Sequence, residues 1–218
     1  GFEFSAKPVS VFNFEDSDDG VKTVTNGTKP VEVSKTLEYT DGVNGGKALS
    51  LDGNYGLDLG ETKALGDSYS ISFWMNPTTL GGGVDPIFAA GTFDPQYWLN
   101  ITAADRGIWS YNGGYIDIEN TPTEKYTTGK WQHVLVTVSS ENGTSTGKLY
   151  LNGKCIASGN VADGVMTRDN SHAYFGVNGW DAYFKGSVDE IMLFDKVLTD
   201  DDATALSESL VTAASLSK

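Results

Sequence analysis

The sequence predicts an all-β protein, built as a two-sheet sandwich with one short helix near its C-terminus. About a dozen short stretches alternate apolar and polar residues at strand period. The 26 glycines follow no period and fall between those stretches, where they serve as turns. Only one segment has the marks of a helix, so strands do not alternate with helices as a parallel sheet requires. No internal repeat is present, which disfavours a propeller.

Along the chain, Pro8–Phe14 is a first strand, with Val9 and Val11 on one face and Phe12 and Phe14 on the other. Glu15–Gly20 is an acidic turn, and 21–30 is a loop or short irregular strand. Residues 38–46 (EYTDGVNGG) are expected to be a loop. Lys47–Leu59 is expected to form two short strands about a tight Asp52-Gly53 turn. Tyr69–Met75 is a central strand, with Tyr69, Ile71, Phe73 and Met75 on one face and Trp74 on the other; Pro77 ends it. Residues 84–90, 97–103 and 107–111 are further strands. Tyr115–Glu119 alternates strictly, with Ile116 and Ile118 inward and Tyr115, Asp117 and Glu119 outward. Trp131–Cys155 is the centre of the pattern. Val134, Val136 and Val138 alternate with polar or opposite-facing neighbours, a polar Gly-rich turn follows, and Leu149 and Leu151 lead to a second turn at Asn152-Gly153. Residues 173–177 and 187–194 complete the strands. Thr199 is an N-cap before Asp200, Asp201 and Asp202, whose charges suit a helix N-terminus. The tail from Ser207 either extends that helix, frays or is linker.

Composition narrows the function. With 39% hydrophobic residues in 218, the chain can bury a core as one all-β domain or two very small ones. A net charge of −14 argues against nucleic acid and anionic membranes, and suits a neutral ligand or a cation. No apolar run approaches the roughly 20 residues of a membrane span. The chain starts at Gly1 without a visible signal peptide, and is expected to be a piece of a longer protein. Cys155 is the single cysteine, so no internal disulfide can form. His133 and His172 are far apart in sequence, which disfavours zinc. Asn26, Asn100 and Asn142 begin glycosylation sequons, but two of the three are Asn-Gly turns anyway.

Several pieces occur in one order: Gly46–Gly53, Tyr69–Pro77, Gly129–Val134, Lys148–Lys154 and Gly186–Phe194, with Leu198 beyond. In this order they resemble the laminin-G-like, concanavalin A-like jelly-roll domains of bacterial extracellular proteins. The resemblance implies two antiparallel sheets, one of them concave. It places the domain at residues 8–206, with 1–7 and 207–218 as flanking linkers. Such domains are mostly carbohydrate-binding modules, adhesive domains or accessory modules of secreted glycoside hydrolases. The expectation is a non-catalytic, monomeric module that tethers a secreted or cell-surface bacterial protein to polysaccharide. The alternative is an adhesion domain recognising a host protein or glycan.

Three kinds of site follow. Related domains often join their chain ends through one structural Ca²⁺, an ion that takes oxygen ligands. Here the candidates are Asp16 and Asp189, with Asp18 as a substitute. Alternation puts Asp189 on the inward face with Ile191 and Leu193, where a lone carboxylate is costly; the bland alternative is that it accepts loop N–H groups. For sugar binding, aromatic platforms beside polar groups are required. Trp180, Asp181 and Tyr183 are the leading set, in a loop between glycines. Gln96 and Trp98 come next, with Trp98 sharing a face with Asn100 and Thr102, then Arg106, Tyr115 and Asp117. Trp74, Trp109 and Trp131 are assigned to the core. For catalysis, related glucanases carry three carboxylates at alternate strand positions. The nearest match has Tyr115 in place of the first, ahead of Asp117 and Glu119, so no enzyme is expected. Asp189 and Glu190, as neighbours in a strand, would point to opposite faces.

Overall fold

The computed structural model describes residues 3–15, 17–27, 30–103, 107–111, 115–117 and 123–216. Its strands are β1 (Ser10–Phe12), β2 (Lys22–Thr25), β3 (Val31–Glu32), β4 (Glu38–Gly42), β5 (Gly45–Asp52), β6 (Gly56–Glu61), β7 (Tyr69–Thr79) and β8 (Pro86–Gly91). They continue with β9 (Trp98–Thr102), β10 (Ile108–Tyr111), β11 (Tyr115–Asp117), β12 (Gln132–Glu141), β13 (Thr144–Leu151), β14 (Lys154–Val161), β15 (His172–Phe175) and β16 (Lys185–Phe194). Two helices follow, α1 (Asp200–Ser207) and α2 (Ala213–Leu216).

The strands make two antiparallel sheets packed as a jelly-roll sandwich. The first runs β14-β13-β12-β7-β16-β5-β4, with β1 also paired to β16. The second runs β11-β10-β9-β8-β15-β6-β2-β3. Alternation decides what each sheet turns inward. Ile71, Phe73 and Met75 of β7, beside Val134, Val136 and Val138 of β12, are wholly buried against the second sheet. Phe73 lies parallel to Phe88 of β8 at 6.2 Å and meets Phe175 of β15 edge-on at 5.3 Å, geometries that favour aromatic pairs. β-Branched residues suit these central strands because they are stiff at χ1.

The outer face of the first sheet is covered as well. Leu135, Tyr150, Met192 and Phe194 pack with Leu198, Ala203 and Leu206 of the α1 region. A capping box starts α1: the Thr199 hydroxyl accepts from the Asp202 N–H at 3.1 Å, and the Asp202 carboxylate accepts from the Thr199 N–H at 2.8 Å. Ala6 and Ala213, from the two segments expected as linkers, belong to the same buried layer. The tail thus forms a second short helix.

Two expectations need correction. Residues 38–46 contain β4 and the start of β5, not a loop; β4 is a charged, exposed edge strand, with no buried alternation to betray it. The strands of 47–59 exist but do not pair with each other. β5 joins β4 and β16, whereas β6 joins β2 and β15, so the turn after Asp52 carries the chain from one sheet to the other.

Candidate functional site

The second sheet turns aromatic and polar residues outward. Its register sets Trp109, Asn100, Ala89, Tyr174 and Asp58 in one row across β10, β9, β8, β15 and β6. The adjoining row holds Trp98, Gly91 and His172. Ala89 and Gly91 are small and leave room above them for aromatic rings. Trp98 and Tyr174 lie 6.3 Å apart, and Phe93 packs against both, 4.5 Å from Trp98 and 5.5 Å from Tyr174. A side chain at Gly91 would collide with the Tyr97 carbonyl oxygen, so only glycine lets the loop fold back this tightly.

Trp180 lies on this base. It is 5.4 Å from Phe93 and stands edge-on to Trp98 at 5.5 Å, yet is 55% exposed. Its loop is held from within and from outside. The Asn178 side-chain oxygen accepts from the Trp180 and Asp181 N–H groups at 3.0 and 2.9 Å, and its amide donates to the Asp181 carboxylate at 2.7 Å. Asn26 then ties the loop to the end of β2. Its N–H donates to the Tyr183 hydroxyl at 2.8 Å, its side-chain amide donates to the Asp181 carbonyl at 2.9 Å, and its side-chain oxygen accepts from the Gly179 N–H at 3.0 Å. The Asn26 amide is therefore committed to structure, which disfavours a glycan there.

The sequence candidates divide accordingly. Trp180 is exposed, while Asp181 and Tyr183 spend their polar groups positioning it. Gln96 is exposed on the Pro95–Tyr97 turn of the neighbouring loop. Trp98 shares its face with Asn100 and Thr102 as alternation predicts, but is 2% exposed beneath Phe93 and Trp180. Tyr115 and Asp117 pair with Tyr111 and Trp109 across β11 and β10, and their side chains lie outside those described. Arg106 and Glu119 lie outside the described residues. Trp74, Trp109 and Trp131 are half-buried and not part of the core between the sheets; Trp109 packs into the outer aromatic cluster and Trp74 meets His133 edge-on at 5.1 Å. His133 itself is buried, 3.0 Å from the Ser72 hydroxyl, and burial lowers its pKa to about 3.

The acidic candidates form a second feature. β16 carries a bulge at Glu190, which has a φ of 49°. Asp189 is opposite Trp74, and Met192 is the next residue in register, opposite Ser72. The bulge breaks the alternation, so Asp189 does not share a face with Ile191 and Leu193. It also brings Asp189 and Glu190 to one pocket of about 440 Å³ with Glu15 and Asn44, so they do not point to opposite faces. Asp189 accepts from the Val43 and Glu190 N–H groups at 3.2 and 2.8 Å. Glu190 accepts from the Asn44 amide at 2.9 Å and the Ala213 N–H at 2.8 Å. Burial pushes the Asp189 pKa up to about 7, with the charges of Glu190 and Glu15 adding to it, and burial raises Glu190 too. Asp18 instead lines a separate groove with Val21 and Lys22, and accepts from the Gly20 N–H at 2.9 Å. Asp16 lies outside the described residues. Among the described residues, no group of three His, Cys, Asp or Glu side chains is arranged to hold a metal.

Comparison with known proteins adds to this geometry. The family model of the concanavalin A-like lectin/glucanases superfamily matches residues 51–204. Domain 4 of AbnA, a GH43 extracellular arabinanase from Geobacillus stearothermophilus, in complex with arabinotriose, is similar at 29% identity and a TM-score of 0.75. The match covers 93% of this chain and 98% of that one. The receptor-binding domain of botulinum neurotoxin type G matches at 13% identity and a TM-score of 0.59, over 94% of this chain and 52% of that one. The binding domain of Paraclostridial mosquitocidal protein 1 matches at 15% identity and a TM-score of 0.55, over 87% of this chain and 51% of that one. This chain thus spans about half of each toxin domain, and those two likenesses concern the fold alone. No curated protein matches the chain.

Proposed function

The chain belongs to the concanavalin A-like lectin/glucanases superfamily as a non-catalytic binding module, and from that premise we propose that it holds a neutral polysaccharide at the Trp180 platform. The observation that carries this is a tryptophan 55% exposed on a fixed aromatic base. Sugars present apolar C–H faces that stack on such rings, and hydroxyls that polar rims can satisfy. Trp180 stacks on the sugar. Asp181 and Tyr183 hold Trp180 in place, Trp98 supports it from below, and Gln96 reaches the ligand from the adjoining turn. Tyr115 and Asp117 continue the rows of Trp98 and Trp109 by their register in β11, and Arg106 remains a candidate from the sequence alone. The arabinanase domain with its arabinotriose supports a pentose polymer as the ligand, and a secreted or cell-surface bacterial glycoside hydrolase as the parent. Affinity electrophoresis against plant, fungal and host polysaccharides tests this. Retardation in at least one gel, lost in Trp180→Ala, is the expected outcome; unretarded migration in every gel would reject the function.

We further propose that Ca²⁺ occupies the acidic pocket, held by Asp189 and Glu15, with Asp16 as the third carboxylate. Glu15, which lines this pocket, stands in for the substitute Asp18, which lines a separate groove. The support is chemical: carboxylates, here the buried Asp189 beside the exposed Glu15, and loop carbonyls are the ligands this ion takes. Glycines make room for them, since a Cβ at Gly42 would lie 2.8 Å from an Asp189 carboxylate oxygen, and one at Gly46 would collide with the Glu15 carboxylate. A melting curve with and without chelator tests it.

A further inference from the structure

The loop 92–97 has two sides, and Trp180 uses one. Phe93, held at a φ of 68°, sends its ring beneath Trp180. Thr92, Asp94 and Tyr97 instead line an open groove of about 450 Å³ with Thr167, Arg168 and Asp169. The Arg168 guanidinium lies 4.1 Å from the centre of the Tyr97 ring. Stacking of this kind orients the planar group and leaves its N–H edge available. Arg168 is exposed, and no carboxylate among the described residues is within ion-pair distance of it.

The charges of the groove select its ligand. Lys63 pairs with Asp169 at 2.8 Å, which leaves Arg168 to balance Asp94. An anion would face both carboxylates, and a cation would face Arg168. An apolar ligand would strip water from Thr, Asp and Arg groups without replacing their hydrogen bonds. An uncharged molecule whose hydroxyls both donate and accept satisfies all of them, donating to Asp94 and accepting from Arg168.

We propose, on the footing that Trp180 is a sugar platform, that this groove is a second subsite for the same neutral polysaccharide. One chain would cross the loop 92–97, resting on Trp180 on one side and hydrogen-bonded by Arg168 and Asp94 on the other. Two sites on either side of one loop raise each other's effective ligand concentration, so long oligosaccharides gain over short ones.

Calorimetric titration of the intact chain with arabino-, xylo- and cello-oligosaccharides of about two to eight units tests this. In the series that binds, affinity is expected to rise about tenfold with length and then level off. Arg168→Ala is expected to abolish that rise while leaving the shortest binder within about twofold. Arg168→Lys keeps the charge but not the fork, and is expected to restore little of it. Trp180→Ala weakens every length. Thermal melting of Arg168→Ala, expected to match the parent because the side chain is exposed, separates lost contact from lost fold. A length dependence that survives Arg168→Ala, or its absence in the parent chain, overturns the groove and leaves the Trp180 site standing. Failure of every oligosaccharide to bind overturns both.

Discussion

Asn26 shows how much of a loop's shape can depend on one residue. Its three hydrogen bonds hold the loop that presents Trp180. Each such bond contributes about 1 kcal/mol net. Asn26→Ala removes the two made by the side chain, so it is expected to lower stability by about 1–2 kcal/mol and to weaken polysaccharide binding, although Trp180 remains. Urea titration and affinity electrophoresis measure the two effects; unchanged binding would mean that Trp180 positions itself. His133 makes a separate prediction. Its pKa is about 3 in the fold against an ordinary 6.5, so the unfolded chain binds the extra proton. Stability from the neutral ring is complete above pH 6.5 and is lost as pH falls towards 3, by up to about 1.4 kcal/mol per pH unit. His133→Gln should show a shallower acid slope than the parent in urea titrations at stepped pH; parallel slopes would contradict this. Trp180 was legible in the sequence because a large aromatic lies between glycines with no strand face to bury it. Asn26, Phe93 and Arg168 were not, because their partners are distant along the chain.

Among the elements, β16 shows why periodicity is only a local guide. Its alternation holds on either side of Glu190 and changes phase there. A single residue with positive φ moves Asp189 to the face of Trp74 and sets two carboxylates in one pocket. If Ca²⁺ fills that pocket, adding it should raise the melting temperature, and a chelator should reverse the gain. Asp189→Asn should remove the response while keeping the hydrogen bond from the Val43 N–H. A parent protein indifferent to Ca²⁺ would leave Asp189 as a buried carboxyl group satisfied by loop N–H donors. Strong alternation made β7, β12 and β13 legible. β4 was not, because an exposed edge strand has no buried face to write into its sequence.

The whole molecule carries a net charge of −14, yet the Trp180 platform is built from uncharged rings. Binding of a neutral sugar should therefore change less than about twofold between roughly 50 and 500 mM salt, because little of it is screened. A steep salt dependence in calorimetry would point to a charged ligand instead. By itself the sequence determined that the chain is all-β, which strands have an apolar face, where glycine turns interrupt them, and that Thr199 starts a helix. Those properties depend on near neighbours and a period of two. Only the tertiary structure decided that β5 and β6 belong to different sheets, that Trp98 is buried beneath Phe93 and Trp180, and that the loops bearing Asn26, Phe93 and Trp180 meet over the second sheet. A side-chain period records inside and outside but carries no address for the partner strand, and loops bring residues together through folding of the whole chain.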